Sequence, residues 1–452
     1  MHVTRLDDGR TGQVTALERA RRKAYWRLIP LVFVCYAIAY IDRANVAFAK
    51  LTMAKDLGFD DEVFGTGFGI FFLGYVLLEV PGALLVERWS ARKWMSRIMI
   101  TWGMVAACTA LVKTPGQFYG MRFLLGLAEA GFFPGAIVYL THWFTARDRA
   151  RALALLITAA PIAQMVSTRL SAPLLRIGTT ETVNHVIVTT PLVFGMRGWQ
   201  IMYIVWAIPA LVLGVVVLLK LTDRPAQAGW IAPDELAALE TELARERAAT
   251  PAAARVGFGQ VLKNPAILLL ALANFLITSA HYGIEAFQPT ILKDWFHLSI
   301  TDVAWAALPS FGAILLGLLG VAWSSDRRGE RWFHSCVPMF WGSGLLLLTM
   351  LGRESFALTV VLFALAVLGV RAYVAVFYSL PKLFLDGPAA AGAIGFINAI
   401  ANLGGFVGPR TLGTLAKSSG SFVTGFVYLS VTAALAGVCI LVVRVYHGRR
   451  VA

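Results

Sequence analysis

Charge is scarce in this chain. Only 15% of its 452 residues are Asp, Glu, Lys or Arg, while 58% are hydrophobic and the mean hydropathy is +0.69. Soluble domains carry about 25% charged residues to coat their surfaces, so composition alone indicates an integral membrane protein. Acids are scarcer than bases, 26 against 40. Cysteines number four, Cys35, Cys108, Cys336 and Cys439. All lie in apolar runs and none has metal-ligand spacing, which reads them as small packing residues and predicts no metal site. There is no glycine loop followed by Lys and Ser/Thr to cradle phosphates, which excludes ATP as an energy source. No nucleophile–base pair is evident either, so an enzyme is not expected, nor a cofactor. The N-terminus is polar and basic, without an apolar core leading to a small-residue cleavage site. No signal peptide is expected to be removed, and the first span acts as the insertion signal.

What the chain does have is apolar length. A bilayer span takes about 20 mostly apolar residues, and twelve such runs are legible: 28–48, 64–86, 94–113, 118–141, 152–176, 199–221, 266–290, 303–324, 333–352, 356–380, 390–415 and 421–445. The formal charge of +14 is spread as a topology signal. With the N-terminus inside, the inner loops receive Arg21, Arg22, Lys23 and Arg27, then Arg88, Arg92, Lys93 and Arg97, and later Arg327, Arg328, Arg331, Arg449 and Arg450. The first outer loop carries Asp56, Asp60, Asp61 and Glu62. Excess Lys and Arg on one side places that side in the cytoplasm. The expectation is a multi-pass protein of the cell membrane with both termini cytoplasmic. Its basic residues serve topology and attract anionic lipid of the bilayer, with no nucleic acid as partner.

The long polar stretch lies between spans six and seven. Pro233, Asp234 and Glu235 open a surface helix there. The expected organisation is a tail at 1–27, a six-helix bundle at 28–221, a cytoplasmic linker at 222–265, a second six-helix bundle at 266–445 and a tail at 446–452. The halves repeat. Ala83-Leu-Leu-Val-Glu87-Arg88-Trp-Ser-Ala-Arg92-Lys93 follows the second span, and Ala322-Trp-Ser-Ser-Asp326-Arg327-Arg-Gly-Glu-Arg331-Trp332 follows the eighth, aligning without a gap. Two in-register copies in parallel halves are the mark of a duplicated transporter.

Ionisable residues inside the apolar runs carry the chemistry. Asp42 and Arg43 lie in the first run, and Arg122 and Glu129 in the fourth. A charge at the centre of a bilayer helix costs roughly 2.5–3.5 kcal/mol on insertion scales, so such residues face a cavity and work there. Arg122 and Glu129 share a helix face about 10 Å apart along the axis, whereas the neighbours Asp42 and Arg43 point about 100° apart. An arginine in a poorly hydrated cavity stays charged and offers a fork suited to carboxylate. A carboxylate there balances burial against a nearby cation, so it can exchange a proton. Buried charge of both signs points to passage for something polar or ionic.

These residues resemble the major facilitator superfamily, whose signature loop looks like both repeated segments. Within it the chain is most similar to the anion:cation symporter family of tartrate, phthalate, hexuronate and galactonate permeases. The resemblance rests on Tyr40-Ile-Asp-Arg-Ala-Asn-Val46, Gly74-Tyr75-Val-Leu-Leu-Glu79-Val-Pro81, Arg122 through Gly135, Gly395 through Pro409, and Asp223-Arg224-Pro225. It implies an all-α integral membrane fold of twelve transmembrane helices in two pseudo-symmetric six-helix bundles. It further implies proton-coupled alternating-access transport of a small organic anion, such as tartrate, an aldonate or a hexuronate. The implied substrate groups are Arg43 and Arg122, the proton carriers Asp42 and Glu129, and the gating loops Glu87, Arg88 and Arg92 with Asp326, Arg327 and Arg331. Tyr75, Tyr282, Asn398 and Asn402 are further candidates for the cavity wall, the two amides sharing one helix face. Arg169, Arg371 and Glu285 beside His281 depart from the family pattern; Arg371 is deep enough to be an extra anion ligand, and Arg169 is placed to snorkel. The segment 176–197 is expected to cap the outer side, and the chain to be a monomer. Anion exchange or export without net proton movement is the alternative within transport, and a transporter-like metabolite sensor the alternative outside it.

Overall fold

The computed structural model describes residues 15–88, 90–183, 186–249, 263–385 and 387–451. Twelve helices among them are long and apolar enough to cross a membrane. In the first half these are α1 (Ala16–Leu57), α2 (Asp61–Arg88), α3 (Ala91–Cys108), a fourth span in two pieces, α4 (Pro115–Glu129) and α5 (Phe132–Trp143), then α6 (Ala146–Leu175) and α7 (Gly198–Lys220). A polar helix, α8 (Pro233–Ala249), follows. The second half holds α9 (Pro265–Phe296), α10 (Ile300–Arg328), α11 (Trp332–Thr349), a divided tenth span made of α12 (Phe356–Ala372) and α13 (Val374–Phe377), then α14 (Gly387–Ser419) and α15 (Val423–Val451).

The repeat seen in sequence is carried into packing. In the first half α1 lies on α6 and α7, α2 on α4, and α3 on α7; in the second α9 lies on α14 and α15, α10 on α12, and α11 on α15. The halves meet where α2 packs on α14, α6 on α10 and α1 on α9. An even number of crossings puts both chain ends on one side of the bundle, called here the terminal end.

Several boundaries differ from the sequence expectation. The first helix starts at Ala16 instead of near Leu28, because Thr15 and Glu18 form a reciprocal cap that begins it early. Its 42 residues make it roughly 60 Å long, twice the hydrocarbon thickness. Its terminal turns therefore stand clear of the span and hold α8: Arg19 pairs with Asp234 at 2.8 Å and Lys23 with Glu235 at 2.8 Å. Lys23 holds the Glu235 carboxyl below the usual range. The last helix runs on to Val451, and part of the linker, 250–262, lies outside the described residues. Pro81 and Pro161 sit inside continuous helices. The fourth span breaks at Gly131, whose φ of 85° is left-handed, three residues before Pro134. Glycine suits that turn on two counts, its φ and the close approach of Gly82, whose Cα would lie 3.1 Å from an added Cβ.

The segment at 176–197 forms a short antiparallel hairpin, β1 (Thr180–Val183) with β2 (Val186–Thr189), at the end remote from the termini. Arg197 closes it onto α1 by pairing with Asp56 at 2.5 Å, and the Trp199 indole donates to the same carboxylate at 2.8 Å.

Candidate functional site

A hollow of about 340 Å³ lies between the halves. Arg43, Tyr75 and Glu79 face it from the first half, and Tyr282, Arg371, Asn398 and Asn402 from the second. Further tyrosines, Tyr36, Tyr40, Tyr373 and Tyr378, complete much of the wall. Another cavity of about 400 Å³ lies at the remote end beside the hairpin, lined by Lys55, Arg197 and Lys293 among others. The first is the candidate site, because Arg43 and Glu79 of the first half and Arg371 of the second line it together inside the spans.

Arg43 links the hollow to the charges behind it. Its Nε donates to Glu129 Oε1 at 2.6 Å, and its guanidinium carbon lies 4.8 Å from the Tyr75 ring centroid and 5.3 Å from Tyr40 and Phe71. The rings fix a flexible cation by its faces while its edge holds a carboxylate. Glu129 is the last residue of α4, where the helix dipole is negative and an acid is disfavoured. Arg43 offsets that penalty, which explains why an ion pair belongs at this helix break. The tenth span breaks in the corresponding place with the opposite sign: Arg371 is in the last turn of α12, where a cation is favoured. Among the described residues no ion pair engages Arg371, and its side chain faces the hollow.

Asp42 and Arg122 are buried away from this wall. Arg122 is 1% exposed and donates from Nε to the Gly67 carbonyl at 3.2 Å, and its guanidinium carbon is 5.1 Å from the Phe71 ring centroid. Sequence spacing put Arg122 on Glu129's face of one helix; across the helices Arg43 reaches Glu129 instead. Both Asp42 carboxylate oxygens, Glu129 Oε2, Arg122 Nη1, Asn45 Nδ2 and the Tyr203 hydroxyl have no hydrogen-bond partner among the described groups. Asp42 interacts electrostatically with Glu129, Arg122 and Arg43. Buried polar atoms almost always have partners, so this cluster is equipped to take a proton or ordered water. The expected grouping of Asp42, Arg43, Arg122 and Glu129 is therefore present, with Arg43 as the member on the hollow.

On the opposite wall, Tyr282 packs its ring 4.3 Å from that of Phe72 across the halves. Asn398 Nδ2 donates to Glu79 Oε1 at 2.6 Å and Asn402 Nδ2 to Glu79 Oε2 at 3.0 Å. Glu79 was part of a motif in the sequence but had no role; its signal was that of a lone acid inside an apolar run.

Away from the termini the halves are clamped shut. Lys417 pairs with Asp60 at 2.9 Å and Glu62 at 2.8 Å, Lys293 donates to the Leu51 carbonyl at 3.2 Å, and Gln164 donates to Glu285 Oε1 at 2.7 Å. His281 Nε2 sits 3.1 Å from Glu285 and joins this cross-half cluster, while its Nδ1 has no hydrogen-bond partner among the described groups. Arg169 does not simply reach for the interface: its guanidinium lies 3.7 Å from the Trp305 ring centroid, on the other half. Lys50, only 4% exposed, was not anticipated; it pairs with Asp61 at 2.5 Å and lies 4.0 Å from the Phe287 ring centroid.

At the terminal end, Ser90 caps α3 and donates to Asp223 Oδ2 at 2.6 Å, and the Arg92 amide donates to Asp223 Oδ1 at 2.8 Å. The first signature loop is thus tied to the exit from the sixth span. The side chains of Glu87 and Arg88 lie outside those described. In the second copy Arg327 lies over Trp323 at 5.5 Å, Arg331 precedes α11 at its N-cap, and Asp326 is in the last turn of α10.

Comparison with known proteins agrees with this architecture. Residues 32–294 and 270–451 match the Major Facilitator Superfamily. A protein of Agrobacterium vitis described as a "putative tartrate transporter" is 39% identical over 91% of this chain and 92% of its own. A protein of Pseudomonas putida described as "putative metabolite transport protein NicT" is 36% identical over 88% of each chain. Among solved structures, a bacterial homologue of the human lysosomal transporter Spinster superimposes with a TM-score of 0.71 at 15% identity, covering 94% of this chain and 96% of that one. Twelve spans in two like-packed halves, doubled signature loops and a charged hollow between the halves belong together: the chain is a member of the Major Facilitator Superfamily, a multi-pass membrane transporter and not an enzyme.

Proposed function

We propose that this transporter carries a small organic anion across the cell membrane together with protons, by alternating access, as a monomer with both termini in the cytoplasm. The anion is tartrate, an aldonate, a hexuronate or an aromatic carboxylate; the resemblance to Agrobacterium vitis proteins described as tartrate transporters supports an organic acid. Arg43 and Arg371 face each other's halves across the hollow and bind carboxylate, aided by Tyr75, Tyr282, Asn398 and Asn402. Asp42 and Glu129 carry the proton, and Arg122 biases both from behind. The signature loops, Glu87, Arg88 and Arg92 with Asp326, Arg327 and Arg331, govern opening at the terminal end.

The observation that carries this reading is the Arg43–Glu129 contact of 2.6 Å at the wall of the hollow. One guanidinium serves two carboxylates in turn. A substrate carboxylate arriving at Arg43 competes with Glu129, and a buried carboxylate deprived of its cation is far costlier than its protonated form. Substrate entry and proton uptake are linked through that competition. The remote end is clamped by Lys417, Lys293, Arg169 and Gln164, so this conformation suits access from the terminal end.

Proteoliposome uptake tests it. Tartrate, gluconate, glucuronate and benzoate are screened by counterflow, and the transported anion is then assayed with and without an inward proton gradient. The gradient is expected to drive accumulation by the unsubstituted protein. Glu129→Gln is expected to keep counterflow and lose gradient-driven accumulation. Unchanged accumulation in Glu129→Gln overturns the role of Glu129, and gradient-independent uptake by the unsubstituted protein identifies an exchanger.

A further inference from the structure

The hollow holds one acid that the coupling scheme leaves unused. Glu79 stands on α2 one turn beyond Tyr75 and is 8% exposed. Its two oxygens accept one hydrogen bond each from Asn398 and Asn402 on α14. The Asn398 amide is the end of a chain. The Tyr373 hydroxyl donates to Asn274 Oδ1 at 2.7 Å, Asn274 Nδ2 donates to the Tyr378 oxygen at 3.1 Å, and the Tyr378 hydroxyl donates to Asn398 Oδ1 at 3.1 Å. Every bond runs in one direction, with donors aimed toward Glu79, and bonds in series polarise one another.

All of those donors belong to the second half, and Arg371 lies within electrostatic reach of Tyr373 and Tyr378. The second half by itself is therefore built as a receptor for an anion. The anion it holds is a side chain of the first half. A carboxylate of this kind on amide donors makes charge-assisted bonds, stronger than neutral ones. It also ties the two halves together at the level of the hollow.

We infer that Glu79 is a resident stand-in for the substrate. Its carboxylate occupies the Asn398–Asn402 amide pair while the hollow is empty, and the carboxylate of an incoming organic anion replaces it there. Replacement frees the first half from the second, so loading the site releases a contact that restrains rocking. Competition by a tethered carboxylate also weakens binding, which keeps the substrate releasable. This inference rests on the reading of the hollow as the transport site.

The test measures equilibrium binding of whichever of the four anions passes counterflow, using purified full-length protein and radiolabelled ligand. Removing a competitor must tighten binding. Glu79→Ala is expected to lower Kd at least tenfold while reducing turnover, because departure of the substrate becomes harder. Glu79→Gln keeps size and packing but sets its amide against two amide donors, so its Kd is expected between the two. Adding Asn402→Ala to Glu79→Ala is expected to loosen binding again. A Kd unchanged or weakened in the monodisperse Glu79→Ala and Glu79→Gln proteins overturns the stand-in role and leaves Glu79 a structural tie. If no anion shows counterflow with the unsubstituted protein, the reading of the hollow as a site for these organic anions fails and the inference fails with it.

Discussion

Glycines at the remote end give the sharpest test of how the halves move. Gly65 and Gly69 on α2 face α14 backbone, not side chains. A Cβ at Gly65 would lie 2.3 Å from the Pro409 carbonyl oxygen, and one at Gly69 2.6 Å from that of Phe406, where ordinary contacts are 3.4–4 Å. Gly413 on α14 repeats the arrangement, 2.3 Å from the Asp61 oxygen. Backbone cannot rotate aside as a side chain can, so Gly65→Ala must push the helices apart. Overpacking of this kind costs about 1–3 kcal/mol, and the cost vanishes in a state whose remote end is open. The gain in helix propensity from Gly to Ala applies to both states and cancels. The equilibrium should therefore shift away from the closed remote end by a factor of about 5 to 150, at 1.4 kcal/mol per tenfold. Gly395→Ala is the control, since nothing lies within 4 Å of its Cβ position. The assay places a reporter Ala375→Cys in the hollow, on a background with Cys35, Cys108, Cys336 and Cys439 replaced. Its modification by a membrane-impermeant thiol reagent is followed from each side of the membrane in turn. Gly65→Ala should slow labelling from the terminal side and speed it from the other. Labelling within twofold of the unsubstituted protein in Gly65→Ala would refute the argument that this contact holds the remote end shut.

Other expectations follow from the same geometry. Arg371→Gln removes a charged partner for carboxylate, usually worth about 1.5–3 kcal/mol, so the KM for anion uptake should rise roughly 10- to 100-fold, measured in proteoliposomes. Lys50→Met breaks the contact with Asp61 and Phe287. Because the Asp61 side chain is 31% exposed, the loss should be less than the about 3–5 kcal/mol of a fully buried pair, seen as a lowered Tm in detergent. Glu235 is held below the usual carboxylate range by Lys23. Its contribution to docking α8 on α1 is fully present above the ordinary carboxylate range and is lost as pH falls from that range through the lowered value; amide hydrogen exchange in α8 should rise over that acid window and level off below it.

Much of the architecture was legible because a bilayer imposes it. Apolar length near 20 residues makes a span, and a gapless repeat of Glu87-Arg88 as Asp326-Arg327 announces two like halves. The lone ionisable residues Asp42, Arg43, Arg122, Glu129 and Arg371 were visible for the same reason: hydrocarbon tolerates none without cause. Partnership was not legible. Spacing along one helix tied Glu129 to Arg122, but side chains pair across helices, and Arg43 holds Glu129 in the fold. The break after Glu129 needs the left-handed turn at Gly131, which no hydropathy pattern signals. Glu79 gained its meaning only when α14 came to lie against α2, and Lys50 only when Phe287 and Asp61 enclosed it. Sequence by itself determined which segments enter the membrane and that charges inside it must face a shared interior. Which charge meets which, and which end of the molecule is closed, was decided only by tertiary packing, because those contacts join different helices, 86 positions apart for Arg43 and Glu129 and 355 for Glu62 and Lys417, whose proximity no local pattern encodes.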